Sequence, residues 1–385
     1  MGDFGVELAR LRARRGWTVR ELARRASVSE GQICNLESGR RNPTPAVAAA
    51  CDAAFGAGGV LAELAGAARR GRQAGQPVEV DSLLAGYQRI LEELKDIGRS
   101  VGPRLVDAPL RSVARILIDT ASQGGAGPDR HHEVWLLASR FAEYTGWMAQ
   151  EAANFAEASR WTDLAVRWGG NGGDGTMAAY ALVRKAFMAE HRGDPAAAIG
   201  LAGRAAEQAA ATPLIRAHAA RREAQGHASL GDYEACREAL ERSRGHAHED
   251  NRRGARWGPR IENGNPRLIE ASCMVSLRRF EQAADLFAIE LDRHPAVPPD
   301  PNSRTRLTIR QARALVGIDD LDQACHVIEA VLPTVRSLDS ATIRAELGRF
   351  VHQVRPRRVT PGQRNLVEAA AAVADGRQPE REVLG

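Results

Sequence analysis

The sequence predicts an all-α protein in two parts, a five-helix N-terminal domain followed by an α-solenoid of helical repeats. Three observations carry that prediction. Residues 18 to 39 read as two short helices joined by a tight turn. A turn followed by a helix then recurs between residues 150 and 330 at steps of 40, 38, 47 and 41 residues. Charge divides the chain in the same way: residues 1–75 hold 12 arginines against seven Asp and Glu, a net of +5, which is the entire formal excess of the 385 residues. The remaining 310 residues balance 41 basic against 41 acidic side chains. A basic head on a neutral body is the electrostatic footprint of a nucleic-acid-binding module joined to a partner domain.

In chain order, Asp3 to Arg15 forms an amphipathic helix with Phe4, Leu8 and Leu11 on one side; Gly16 ends it and Trp17 closes over a small core. Thr18 caps the next helix with Glu21 three residues on, the spacing of a capping box, and Leu22, Ala23 and Ala26 point inward. Ser27 stands at a turn that demands an awkward backbone conformation. Ser29 caps the second helix, with Ile33 and Leu36 inward and Glu30, Gly31, Gln32 and Asn35 outward. A basic loop, Arg40-Arg41-Asn42-Pro43, follows at once. Pro45 to Phe55 and Val60 to Arg70 complete five helices, separated by Gly56-Ala57-Gly58-Gly59. The domain therefore spans 1–70, with a polar linker at 71–79 and connecting helices within 80–128 (Ser82 to Ile97 and Leu105 to Ala121), broken by Gly124 to Pro128.

Residues 129–376 form the repeat domain, and 377–385 read as a disordered tail. Five units align on Phe155-Ala-Glu-Ala158, Pro195-Ala-Ala-Ala198, Tyr233-Glu-Ala-Cys236, Phe280-Glu-Gln-Ala283 and Leu321-Asp-Gln-Ala324. The small residue lets two helices of a hairpin approach closely, and the bulky one fills the angle at the turn. Gly193-Asp194 and Gly231-Asp232 stop one helix and cap the next. Loops at 169–175, 244–266 and 294–303 are inserted between helices. No hairpin buries its face alone, so neighbours must stack.

The segment from about 8 to 64 resembles the lambda-repressor-like helix-turn-helix family, also called the XRE family. The resemblance rests on Thr18, Leu22-Ala23, Val28-Ser29, Ile33, Leu36-Glu37, Gly39 and Pro43. It implies double-stranded DNA as partner, with Glu30, Gly31, Gln32 and Asn35 facing base edges and Thr18, Arg20, Arg24, Ser29, Arg40, Arg41 and Asn42 contacting phosphate. Glu37 is the exception: it reads as a structural acid bonding backbone or an arginine. Val19 stands where the family usually has Gln, and Gly31 offers no side chain, so a single head should bind modestly and lean on DNA shape. Residues 130 to 350 look like tetratricopeptide repeats, and the combination resembles actinobacterial regulators of the XRE type. That implies a homodimer and a possible peptide or small-molecule effector. Trp135, Arg140, Tyr144, Trp147, Arg184 and Arg221, on the first helices of hairpins, are the candidate ligand groove. A sealed aromatic core is the blander reading of the same aromatic cluster.

Other chemistries find little support. No Ser/His/Asp arrangement, phosphate loop or paired carboxylate stands out, so no enzyme and no cofactor are expected. His246-Ala-His248-Glu249-Asp250 has metal-ligand residue types but reads as a solvated loop, and Asn171 to Gly175 lacks the length and terminal Glu of a calcium loop. Five scattered cysteines without a Cys-x-x-Cys pair read as reduced and mostly buried. No apolar run is long enough to span a bilayer and no secretory signal is evident, so the expectation is a cytoplasmic protein away from membranes. The competing function is a protein-interaction scaffold, or a regulator of a partner protein, whose helix-turn-helix serves protein contacts.

Overall fold

The computed structural model describes residues 3–39, 41–57, 59–65, 80–122, 127–249, 266–293 and 301–376. The described residues contain helices and no strand. They fall into two compact units, 1–83 and 84–385. The expected linker and tail, 71–79 and 377–385, lie outside the described residues, as do Arg40 and residues 66–70.

The first unit comprises α1 (Asp3–Arg14), α2 (Val19–Arg25), α3 (Glu30–Glu37), α4 (Pro45–Phe55) and α5 (60–65). Leu8, Leu22, Ile33, Cys51 and Leu61 are fully buried in a core contributed by all five helices. Trp17 stacks on Phe55 with ring centroids 5.1 Å apart, closing that core as its position predicts. Gly5 marks the tightest approach: a Cβ there would lie 2.4 Å from the Leu36 carbonyl oxygen, so α1 touches the end of α3 backbone to backbone. Asp52 on α4 accepts the amides of Gly59 and Leu61 at 2.7 and 2.8 Å, and so caps α5 from outside it.

The second unit opens with α6 (Val80–Val101), from its residue 84 on, followed by a 3-10 turn (Pro103–Leu105) and α7 (Asp107–Ser122). Six antiparallel hairpins follow: α8 (Gly127–Glu151) with α9 (Phe155–Asn171), α10 (Thr176–His191) with α11 (Pro195–Ala206), α12 (Pro213–Leu230) with α13 (Tyr233–Glu249), α14 (Pro266–Ser276) with α15 (Phe280–Arg293), α16 (Pro301–Gly317) with α17 (Leu321–Ser337), and α18 (Ala341–Val354) with α19 (Pro361–Ala374). Each of the five anchors, Phe155, Pro195, Tyr233, Phe280 and Leu321, is the first residue of a second helix. The small residue three later is buried in every case. Gly146 on α8 shows why: a Cβ there would come within 3.2 Å of the Ala158 carbonyl oxygen.

The five turns share one geometry. The residue two before each anchor has positive φ: Ala153, Gly193, Gly231, Arg278 and Asp319. In each, the next amide reaches back five residues to a carbonyl, as in Asp194 N–H to Ala189 O at 3.0 Å and Arg279 N–H to Met274 O at 2.9 Å. This is the Schellman closure, which satisfies the orphan carbonyls of the preceding helix. Asn154, Asp194, Asp232 and Asp320 then cap the following helix. Only two of the five left-handed positions are glycine, which is why sequence shows only two of the stops.

Three boundaries differ from expectation. Gly127 and Pro128 open α8 instead of breaking a helix, because Pro is well placed in a first turn. The connector Asn171 to Gly175 is an ordered turn in which Asp174 accepts the Thr176 amide at 2.9 Å, ahead of α10. α13 runs on to Glu249, so His246, His248 and Glu249 are helical and not part of a loop; Asp250 lies outside the described residues. No described helix is long and apolar enough to cross a membrane, and no cluster of three metal-ligating side chains occurs among the described residues.

Candidate nucleic-acid interface

α2 and α3 are held by local chemistry before packing acts. Thr18 Oγ1 accepts the Glu21 amide at 3.2 Å. The Glu21 carboxylate, however, does not return to Thr18 as a capping box requires; it pairs with Arg24 at 2.7 Å and Arg25 at 2.8 Å. Those guanidiniums, Arg24 first, hold the Glu21 carboxyl below its usual range. The capping box belongs to α3 instead. Ser29 Oγ accepts the Gln32 amide at 3.2 Å, and Gln32 Oε1 accepts the Ser29 amide at 3.0 Å. Between the helices Ser27 takes φ +54, the left-handed conformation the turn demanded, and the Val28 amide closes back onto Ala23 O at 2.9 Å.

The outer end of α3 is locked in place. Arg12 forks onto Glu37, Nε to Oε1 at 2.6 Å and Nη2 to Oε2 at 2.8 Å, and sends Nη1 to the Trp17 carbonyl at 3.1 Å. A bidentate pair with a third bond fixes both charge and direction. Glu37 is thus the structural acid its position suggested. Arg25 lies 4.4 Å over the Trp17 ring, so an arginine of the first helix is also tied down.

Glu30, Gly31 and Gln32 are exposed at the start of α3, and Asn35 is half-buried one turn on. Gln32 carries a constraint that its sequence position does not reveal. Bidentate reading of adenine needs an amide oxygen and an amide nitrogen together, and the oxygen is engaged at Ser29. Arg20 lies 3.8 Å from Glu30, so a candidate phosphate contact and a candidate base contact face each other. Arg41 and Asn42 are exposed beside α3, and the Arg41 amide bonds Asn35 O at 3.0 Å. Cys34, also on α3, is the one exposed cysteine; the other four are buried.

With that geometry established, the comparison with known families is decisive for this unit. Residues 3–65 match the helix-turn-helix domain family. No curated protein and no solved structure matches the chain. The matched helix-turn-helix domain covers all of α1 to α5, and it points to a DNA-binding regulator.

The candidate ligand residues of the repeat unit separate into groups. Trp147 and Arg184 meet, the guanidinium 3.6 Å above the indole, and Arg184 Nη1 also donates to Gln150 Oε1 at 3.0 Å. Arg184 is only 2% exposed, with Nε and Nη2 lacking hydrogen-bond partners. Arg221, 4% exposed on α12, donates to Ser243 at 3.3 Å; burial first, then Arg222, brings its pKa down to about 10. Tyr144 turns elsewhere, donating to the Lys95 carbonyl of α6 at 3.1 Å. Trp135 bonds His131 at 3.0 Å, and Arg140 is half-buried on α8. Phe141, Trp161 and Trp168 are core.

The first helices carry a polar ladder that escapes a residue-by-residue reading. Glu143 and Gln150 on α8, Tyr180 and Arg184 on α10, His218, Arg221 and Gln225 on α12, Arg306, Arg310 and Arg313 on α16, and Thr342, Glu346 and Arg349 on α18 recur at intervals of three, four or seven. The spacing is the available signal: each set shares one helix face. Glu346 receives Arg310 at 2.7 Å, Arg313 at 3.0 Å, and Arg349. Burial alone would raise its pKa, but the three guanidiniums outweigh that and hold it well below the carboxylate range. Glu151 at the end of α8 bonds Ser340, Thr342 (2.8 Å) and Arg306 (3.4 Å), joining the first hairpin to the last.

Proposed function

We propose that this chain is a sequence-specific, DNA-binding transcriptional regulator. In this reading α3 enters the major groove of duplex DNA, and the helical-repeat unit pairs two heads and senses an effector. The observation that carries it is the match of residues 3–65 to the helix-turn-helix domain family, within a segment, 1–75, that holds the whole formal charge excess. Geometry supports it as well: α3 presents Glu30, Gly31 and Gln32 outward while Ser29, Glu37 and Arg12 fix both of its ends. Asn35 is the base reader and Arg41 and Asn42 the phosphate contacts; Arg40, in the same loop, joins them by position. Gln32 reads through its free NH2 alone, and Thr18, Arg20, Arg24 and Ser29 line the approach to the backbone.

Steep salt dependence of duplex binding tests the reading. Arg41→Ala should weaken binding across sequences and lower the salt slope by about one. Asn35→Ala should change preference at particular bases by about 1–3 kcal/mol. Binding unaffected by either change removes α3 from the groove. A second reading, the protein-contact scaffold, draws on a specific observation: Glu21 and Glu30 offset Arg20, Arg24 and Arg25 on the face that would meet phosphate. Co-purification of a stoichiometric protein with no retained DNA would favour it.

A further inference from the structure

A cleft of about 630 Å³ opens in the repeat unit where the end of α14, the turn after it, α16 and α18 meet. Its lining holds Arg278, Arg313, Arg349 and Arg357 together with His352, and no Asp or Glu lines it. Two carboxylates stand behind that lining. Glu346 is shared by Arg310, Arg313 and Arg349, and Asp319 takes Arg357. Four arginines line the cleft against those two carboxylates, which leaves an excess of positive charge at the wall. Arg313 also has a buried Nε without a hydrogen-bond partner. Val275, Phe280 and Pro356 supply an apolar floor, made firm where the Phe280 ring seats directly on Gly317 of α16.

Backbone conformation adds an independent argument. Arg278 holds φ +60 in a turn whose counterparts in two other hairpins are Gly193 and Gly231. An L-residue there costs about 1–2 kcal/mol, and its side chain stands in the cleft without an ion pair among the described residues. Asp319, which anchors Arg357, is another non-glycine at the corresponding position. Ala153 keeps the same conformation in a hairpin away from the cleft, so what distinguishes the turns here is the charged side chains they carry.

The geometry points to this cleft as the binding site for a small organic polyanion, a molecule carrying two or more phosphate or carboxylate charges on a compact apolar body. The volume suits a nucleotide-sized ligand and is far too small for a duplex. Guanidiniums from three elements line the cleft, and their remaining N–H donors suit such oxygens. That binding here alters the DNA-binding heads rests on the regulator reading; the binding itself does not.

Calorimetric titration of the full-length chain at constant ionic strength tests this, with pyrophosphate and citrate as separate probes. Binding of pyrophosphate alone assigns the site to organic phosphates, and binding of citrate alone to polycarboxylates; either supports the proposal, as do both together. Arg278→Gly should weaken binding about tenfold while leaving the fold at least as stable, since glycine relieves the positive φ. Arg349→Ala should also weaken anion binding, and Arg41→Ala, which lowers duplex binding, should leave anion binding unchanged. Failure of both probes to bind overturns the proposal, and so does affinity lost in Arg41→Ala but kept in the cleft variants. Duplex binding measured on the same samples separates the two readings: intact DNA binding with no anion binding defeats this proposal alone.

Discussion

The two units bury different things. Among the described residues of 1–83 no charged or polar side chain is buried, and stability there rests on Leu8, Leu22, Ile33, Leu61 and their neighbours. The repeat unit buries Glu143, Glu151, Arg184, His218, Arg221 and Glu346 along the inner rows of its first helices. Apolar packing is indifferent to direction, whereas paired charges hold only in one register. The small domain is thus a robust wedge, and the repeat array is a keyed assembly whose neighbours fit one way.

The largest test of that contrast is Glu346→Ala. It leaves the half-buried Arg310 and Arg313 without their acid and should cost the repeat unit about 3 kcal/mol, the low end for a broken buried pair. Hydrogen exchange read segment by segment should show α16 and α18 opening while α1 to α5 stay protected; an unchanged pattern breaks the contrast. Gly5→Ala is the complementary change. It forces a methyl against Leu36 O and should destabilise the helix-turn-helix domain by about 1–3 kcal/mol, seen as a lower denaturation midpoint for that domain alone.

A pH series sharpens the comparison further. Residues 1–83 contain no histidine. In the repeat unit, burial first and then Arg221 and Arg222 hold His218 well below its ordinary 6.5, and burial likewise lowers His191. A neutral native histidine lets the unfolded chain bind the extra proton. Its stability contribution is therefore full above about 6.5 and declines as pH falls from there towards the depressed native value. Glu157, brought down to about 2 by Arg160 and Arg111, adds a loss between its ordinary 4.5 and about 2. Thermal melts at descending pH should show the repeat unit weakening from about pH 6.5 while the helix-turn-helix domain holds to about pH 5. The smallest effect is expected at the turns. Ala153→Gly should stabilise by about 0.5 kcal/mol, the left-handed penalty less the entropy glycine costs, and Gly231→Ala should do the reverse.

The helices and their repeat were legible because caps, stops and small-residue positions are local. Ser29, Trp17 and the five anchors signal by immediate neighbours. What escaped involved partners distant in sequence. Nothing near Glu346 announces Arg310, 36 residues back, and nothing near Glu151 announces Ser340. In the candidate interface the missed detail was competition within four residues: Gln32 serves its own helix cap, and Glu21 answers Arg24 and Arg25 instead of Thr18. Residue type suggests what a side chain is able to do, while geometry decides which of two local partners it takes.

The link from Glu151 to Ser340 and Thr342 has a consequence for how the array assembles. A linear stack of hairpins gains stability one neighbour at a time, nucleates anywhere, and survives trimming from either end. Here the chain between the joined ends must be threaded into place before those bonds form, so the loop-closure cost is met late and all at once. Removing α18 and α19 would thus expose the far side of α8 as well as the new terminus. The array should melt as one cooperative body, and fragments cut at hairpin boundaries should not fold by halves.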